Sequence, residues 1–284
     1  MNMYSRFLAL CRMVKIEHSI FALPFAYAGA LLAKNGIPDP YTILVLTVAM
    51  VGIRSFAMAV NRILDLPFDR KNPRSANWPL VTGELTAWQT WRFAGFMAAM
   101  FVAACAALNP VCLALSPLAL AMGAFYSYTK RFTWLCHFAL GSVLGLAPIA
   151  GWLAVSPAWS PVPILLGLAV MFWVAGFDII YSGQDAAFDK SEGLFSMPSA
   201  LGIDVSFALA AFSHANMMLF LLLTGLFCKL SWGWYLFLVV TGWILYGEHK
   251  VAKTATPERL RKAFAMNGPI SILMLIATVM GIYW

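Results

Sequence analysis

Charge is scarce in this chain: Asp, Glu, Lys and Arg make up 11% of its 284 residues, against 62% that are hydrophobic, where soluble domains carry about 25% charged residues. So little charge cannot cover a water-facing surface, and a soluble globular domain is excluded. Paired cysteines are missing too. Cys11, Cys105, Cys112, Cys136 and Cys228 are scattered with no C-x-x-C pair, which argues against a disulfide framework or a zinc ribbon and leaves them as packing thiols. His18, His137, His214 and His249 share no metal-ligand spacing, so each is expected to be structural or on the surface. Sustained apolar/polar alternation is absent, which excludes a membrane β-barrel. No small-residue cleavage site follows the first apolar run, which therefore reads as a retained helix.

What the chain has in abundance is apolar segments long enough to cross a ~30 Å hydrocarbon core as helices. They lie at 18–34, 42–61, 92–109, 111–128, 134–154, 162–182, 205–227, 231–247 and 268–284. The expected fold class is all-α, a polytopic bundle of nine transmembrane helices forming one membrane domain over residues 1–284. Prolines within spans (Pro24, Pro117, Pro148) are tolerable because neighbouring helices satisfy the freed backbone groups. With the N-terminus placed inside, one side of the membrane collects Arg6, Arg12, Lys15, Arg62, Arg70, Lys71, Arg74, Arg92, Lys130, Arg131, Lys190, Lys250, Lys253, Arg259, Arg261 and Lys262. The other side has only Lys34 and Lys229. This bias predicts a cytoplasmic N-terminus and an outside C-terminus; the expected location is a bacterial inner (plasma) membrane. The bias also accounts for the net charge of +7 without nucleic acid as a partner.

Acids are the scarcest charge, 12 in all, and they cluster. Asp65, Asp69 and Glu84 form one window and Asp178, Asp185, Asp189 and Glu192 a second, both at the ends of spans on the basic side. A D-x-x-x-D spacing occurs in each, Asp65 with Asp69 and Asp185 with Asp189, offset by 120 residues, as an ancient duplication of a four-helix unit would leave it. On a helix, i and i+4 share a face, and like charges there repel. A hard cation removes that cost, and Mg²⁺ favours one or two carboxylates together with substrate phosphates. On a continuous helix Asp178, Asp185 and Asp189 would all face one cavity. Pro67 is expected to end or bend the first helix near Leu66, leaving Asp69 on the following loop.

The bland alternative is that these acids pair with Arg62, Arg70, Lys71, Arg74 and Lys190 as solvated loop ends. Two matching windows in so acid-poor a chain weigh against it. Carboxylates flanked by Arg62, Arg70, Lys71 and Arg74, with Lys130 and Arg131 on the next basic-side loop, suit an anionic phosphate ester held between metal and guanidinium. Arg54 lies within a span, 7 residues before Asn61 and 11 before Asp65, on the same helical face. A charge there is a functional hypothesis by default; a fork-shaped receptor for a small planar carboxylate is one use, snorkelling or pairing with an acid another. A cation-coupled transporter would place its acids near midspan, whereas these lie at span ends.

These residues resemble the UbiA superfamily of membrane aromatic prenyltransferases. Asn61, Asp65 and Asp69 match its N-x-x-x-D-x-x-x-D motif. Asp185 and Asp189, preceded by Asp178 and Tyr181, match its second motif, and Tyr128, Lys130 and Arg131 match a Y-x-K-R signature. The stretches KIEHSIFALPFAYAGALLA, NPRSANWPLVTGEL and FDKSEGLFSMPSALG are most similar to the 4-hydroxybenzoate polyprenyltransferase group, especially its branch acting on 1,4-dihydroxy-6-naphthoate in the futalosine route to menaquinone. The resemblance implies Mg²⁺-dependent transfer from a polyprenyl diphosphate to a hydroxyaryl carboxylate in ubiquinone or menaquinone biosynthesis. It makes Asp65, Asp69, Asp185 and Asp189 metal ligands and, with Lys130, catalytic. It makes Arg54, Asn61, Lys71, Arg74, Tyr128, Arg131, Asp178 and Tyr181 substrate-binding. A tetrapyrrole acceptor is the alternative within the family. One departure stands out: where that group usually reads A-N-R-P-L, this chain has Trp78. Lys71 and Arg74 are expected to compensate for the missing arginine, with Trp78 anchoring the loop at the headgroup level, so that Trp78→Arg is expected to be neutral or favourable for donor binding.

Overall fold

The computed structural model describes residues 3–15 and 19–284, and side chains for 6–15 and 22–284; His18 lies outside the described residues. Among these the secondary structure is helical, without strands. The helices are α1 (Met3–Val14), α2 (Ser19–Lys34), α3 (Pro40–Asp69), α4 (Ala87–Leu108), α5 (Pro110–Thr129), α6 (Cys136–Val155), α7 (Pro161–Ser182), α8 (Ala186–Ser191), α9 (Met197–Leu201), α10 (Ile203–Phe227), α11 (Trp232–Ala252), α12 (Pro257–Ala265) and α13 (Ile270–Tyr283). Seven helical segments are long and apolar enough to cross a membrane: 40–69, 87–108, 110–129, 136–155, 161–191, 203–227 and 257–283. The remaining two expected spans are also helices. α2 is short, and the last turns of α11 carry Glu248, His249 and Lys250, which lowers its mean hydropathy.

Contacts divide the chain into two compact units, Met1–Ile20 with Leu44–Tyr128, and Phe21–Ile43 with Thr129–Trp284. In the first, α1 lays Ala9, Met13 and Val14 against Ala59 and Val60 of α3, Leu80 and Leu85 of the loop, and Ala94 of α4. Thr86 caps α4 with a reciprocal pair of bonds to Gln89, the arrangement that satisfies two orphan amides at a helix start.

In the second unit, small residues set the helix spacing. A Cβ on Gly145 would sit 2.5 Å from the Gly167 carbonyl oxygen, and one on Gly151 would overlap the Ala26 carbonyl, so α6 approaches α7 and α2 backbone to backbone. Without a hydrophobic force between helices in lipid, such close packing is a main source of association. Polar groups buried in this unit are joined to each other: Trp173 Nε1 donates to Asn267 Oδ1 (2.7 Å), and Asn267 Nδ2 to Glu248 Oε1 (2.8 Å).

Candidate active site

The first acid motif sits on the last turns of α3. The helix does not stop at Pro67, contrary to the sequence expectation; Asp69 is its last residue. Proline there forfeits one bond, to the Ile63 carbonyl, while Arg70 N–H to Leu66 (3.1 Å) and Asn72 N–H to Phe68 (3.1 Å) carry the ladder onward, and the Pro67 ring is exposed. Asn61, Asp65 and Asp69 therefore form one i, i+4, i+8 row. Asp65 is 4% exposed, and its Oδ2 accepts from Asn61 Nδ2 at 2.9 Å; the same amide donates to Ser127 Oγ at 3.2 Å. Asn61 thus orients the carboxylate of Asp65.

The loop after α3 folds back onto the motif. Asn72 accepts from the Arg74 amide at 2.9 Å and starts a 3₁₀ turn over Pro73–Ser75, whose buried Ser75 Oγ donates to Asp69 Oδ1 at 3.2 Å. Trp78 lies beneath Arg62, whose Cζ is 3.7 Å from the ring centroid, and Arg74 approaches the same ring at 5.8 Å. A cavity of about 20 Å³ here is lined by Arg12, Lys15, Arg62, Asp69 and Trp78 among others. Lys71 and Arg74 are exposed. Arg12 also pairs with Glu84. Deeper in α3, Arg54 Nη1 donates to the carbonyls of Val14 (3.1 Å) and Lys15 (3.2 Å). Its observed partners are thus the C-terminal carbonyls of α1, which a cation near a helix end satisfies.

The second motif departs from the continuous helix the spacing suggests. α7 ends at Ser182, a 3₁₀ turn covers Gly183–Asp185 and α8 begins at Ala186. Asp178, Asp185 and Asp189 therefore sit on three successive segments, and their directions do not follow from 3.6-residue geometry. Gly183 is a poor helix former and Gln184 Nε2 turns back to the Tyr181 carbonyl (3.1 Å), which suits the tightened turn. Tyr181 packs its ring 4.6 Å from Phe264, while Tyr128, in the first unit, is 44% exposed. Lys130 and Arg131 are half-buried. The Lys130 carbonyl accepts from the Phe195 amide at 2.7 Å, and the Leu194 amide donates to the Asp189 carbonyl at 2.8 Å.

His137, expected to be an isolated structural histidine, is bonded to the second motif: its Nδ1 is 2.7 Å from Asp178 Oδ2. His214 and His249 pair with each other at 2.9 Å. His137 and Asp178 are 41 positions apart, beyond any local spacing rule. Arg62 on Trp78 and Ser75 on Asp69 depend on how the loop after α3 folds back, which has no periodic signature.

Among the described residues no three His, Cys, Asp or Glu side chains form a group that could hold a metal by themselves. The oriented pair Asp65 and Asp69 suits Mg²⁺, which takes one or two carboxylates and completes its shell with substrate phosphates and water.

The fold is that of an all-helical membrane protein, with the pair Asp65 and Asp69 on the last turns of α3. Residues 22–277 match the UbiA prenyltransferase family, and the chain belongs to that family. It is 26% identical over 286 residues to a 4-hydroxybenzoate octaprenyltransferase of Escherichia fergusonii, covering 99% of this chain and 97% of the relative. It is 25% identical to the enzyme of that name from Marinobacter nauticus, covering 94% and 92%. Against the mitochondrial 4-hydroxybenzoate polyprenyltransferase of Aedes aegypti the identity is 26%, and the chain spans 63% of that protein's length. A UbiA homolog from Aeropyrum pernix K1, solved in its apo form, is 35% identical with a TM-score of 0.86, covering 93% of this chain and 98% of that one. A homolog from Archaeoglobus fulgidus bound to GPP and Mg²⁺, 18% identical, shares the fold at a TM-score of 0.72, covering 97% and 100%.

Proposed function

We propose that this prenyltransferase moves a polyprenyl group from its diphosphate to the ring carbon beside the hydroxyl of a hydroxyaryl carboxylate, 4-hydroxybenzoate or 1,4-dihydroxy-6-naphthoate, in quinone biosynthesis. The observation that carries the reading is the Asn61–Asp65–Asp69 row, an oriented carboxylate pair beside Arg62, Lys71 and Arg74. The names of the curated relatives support the acceptor class, and the Archaeoglobus homolog's GPP and Mg²⁺ support the donor class.

Asp65 and Asp69 in the first unit, and Asp185 and Asp189 in the second, are assigned as the Mg²⁺ ligands. Bound with the donor, Mg²⁺ supplies neutralisation of the diphosphate charge. Arg74 and Lys71 hold the diphosphate from the first unit's loop, and Lys130 and Arg131 do so from the second unit. The allylic carbon–oxygen bond breaks with its electron pair going to the diphosphate. The ring carbon then bonds to the allylic carbon and loses its proton. Tyr181 and Tyr128 offer ring faces to the allylic cation, Asp178 helps seat the donor, and Arg54 is assigned to the acceptor's carboxylate. The acid-bearing helix ends and the N-terminus face the cytoplasm in this reading, with the prenyl tail in the bilayer.

The test is incubation of purified enzyme with Mg²⁺, a labelled polyprenyl diphosphate and a panel of aromatic acids. Transfer to a hydroxyaryl acid is expected, with loss by roughly 100-fold or more on EDTA treatment or in Asp65→Asn, Asp69→Asn, Asp185→Asn and Asp189→Asn, the scale on which removed transition-state charge stabilisation is felt. An enzyme that prenylates none of the acids overturns the acceptor assignment. A variant retaining half its activity at saturating Mg²⁺ removes that aspartate from the metal site.

A further inference from the structure

His137 at the start of α6 touches two segments on either side of the second acid motif. Its Nε2 lies 3.2 Å from the Met197 backbone nitrogen, and its Nδ1 lies 2.7 Å from Asp178 Oδ2. A backbone N–H can only donate, so Nε2 accepts, and the ring's hydrogen is therefore on Nδ1, where it donates to the carboxylate. The ring is 2% exposed and has a partner at each nitrogen. Around it, Cys136 Sγ donates to the Phe195 carbonyl (3.3 Å) and the Phe195 amide donates to the Lys130 carbonyl (2.7 Å). The residues following α8 are thereby stitched to the segment bearing Lys130 and Arg131, and His137 also bonds to α7.

We propose that His137 is a positioning residue for prenyl transfer: its Nδ1–H fixes the orientation of the Asp178 carboxylate, and its Nε2 fixes the start of α9, so that the second acid motif is held for the diphosphate donor. This rests on the function proposed above. Asp178 has one oxygen committed to the imidazole, which favours one orientation of its carboxylate. Outer partners that orient a functional carboxylate or imidazole in this way are as much part of a site as the groups they hold.

Two substitutions separate the two arms of the ring. In His137→Asn the amide nitrogen takes the place of Nδ1 and still donates to Asp178, while the acceptor for Met197 is lost. In His137→Gln the amide oxygen reaches the place of Nε2 and accepts from Met197, while the donor to Asp178 is lost. Both variants are compared with wild type for thermal midpoint in detergent, Mg²⁺-dependent binding of geranyl diphosphate, and kcat and KM for donor and acceptor separately. The expected result is that His137→Gln falls by about 10- to 100-fold in kcat/KM for the donor, the range typical of lost outer-shell partners, with acceptor KM unchanged. His137→Asn is expected to stay at least about fivefold above it. In an Asp178→Asn background the Gln and Asn forms should not differ, because neighbours acting through one contact are non-additive. His137→Asn no more active than His137→Gln, or a difference that persists without the Asp178 carboxylate, overturns the proposal. Because geranyl diphosphate binding needs no acceptor, it separates failure of this inference from failure of the acceptor assignment.

Discussion

Trp78 stands in the loop after α3 where the resemblance implies an arginine, and its ring carries the guanidinium of Arg62 at 3.7 Å with Arg74 at 5.8 Å. A cation over an indole face gains about 0.5–2 kcal/mol depending on desolvation. We propose that the tryptophan orders two charges already present, which leads to an expectation for Trp78→Arg opposite to the one drawn from the sequence alone. Trp78→Arg would set a third guanidinium against Arg62, so it is expected to raise donor KM at least as much as Trp78→Ala, with Trp78→Phe intermediate. A Trp78→Arg enzyme binding donor as well as wild type would mean that the stack does not order the loop. Arg54 poses a sharper question at the same scale, since its Nη1 serves α1. A lysine can satisfy one cap but cannot offer a fork. Arg54→Lys is expected to keep the thermal midpoint while raising KM for the aromatic acid and leaving donor KM unchanged. Unaltered acceptor KM in that variant, alongside an unstable Arg54→Ala, would reduce Arg54 to a helix cap.

At the scale of elements, the acid spacing was legible because i and i+4 on a helix needs only local geometry, and α3 delivers the row it implies. Of the end or bend expected near Leu66, the end did not occur: a proline in a final turn costs one bond, and Pro67 is exposed. The opposite error occurred at residues 183–185, where an uninterrupted period was assumed and the backbone tightens instead. Pairings across long separations, such as His137 with Asp178, have no periodic signature at all. The start of α3 was within reach of sequence rules, since Asp39 before Pro40 is a cap followed by a favoured first residue. Asp39 takes the Thr42 hydroxyl at 2.7 Å and the Thr42 amide at 2.9 Å, and these bonds, the hydroxyl's foremost, hold its carboxyl below the usual carboxylate range. Because the folded-state pKa is depressed, the cap's contribution is complete above the unfolded carboxylate's pKa and is lost as pH falls through the lower folded value. Hydrogen exchange at the Thr42 amide, corrected for its intrinsic pH dependence, should speed up on acidification through that window. In Asp39→Asn, which keeps an acceptor without the titration, exchange corrected for its intrinsic pH dependence should not change; an equal acid response in both would place the cause elsewhere.

For the molecule as a whole, the count and direction of the spans decide which helix ends share a side of the membrane. Seven segments qualify by length and apolarity, and every one of the nine expected spans is represented by helix. The difference rests on α2 and α11. α11 has 21 residues, about 31 Å at 1.5 Å per residue, enough for the hydrocarbon core even though Glu248, His249 and Lys250 close it with charge. Glu248 is fully buried, and Asn267 donates to its Oε1. If α11 spans, Lys229 before it and Lys253 after it face opposite compartments, with Lys229 outside by the basic-side bias. Both side chains are exposed. In a background free of native cysteine, Lys229→Cys and Lys34→Cys are expected to react with a membrane-impermeant maleimide in intact spheroplasts, and Lys253→Cys only after lysis. Labelling of Lys229→Cys and Lys253→Cys from the same side would leave α11 on the surface and reduce the span count. Labelling of Lys253→Cys from outside would invert the molecule and move the acid-bearing ends of α3 and α7 away from the cytoplasm.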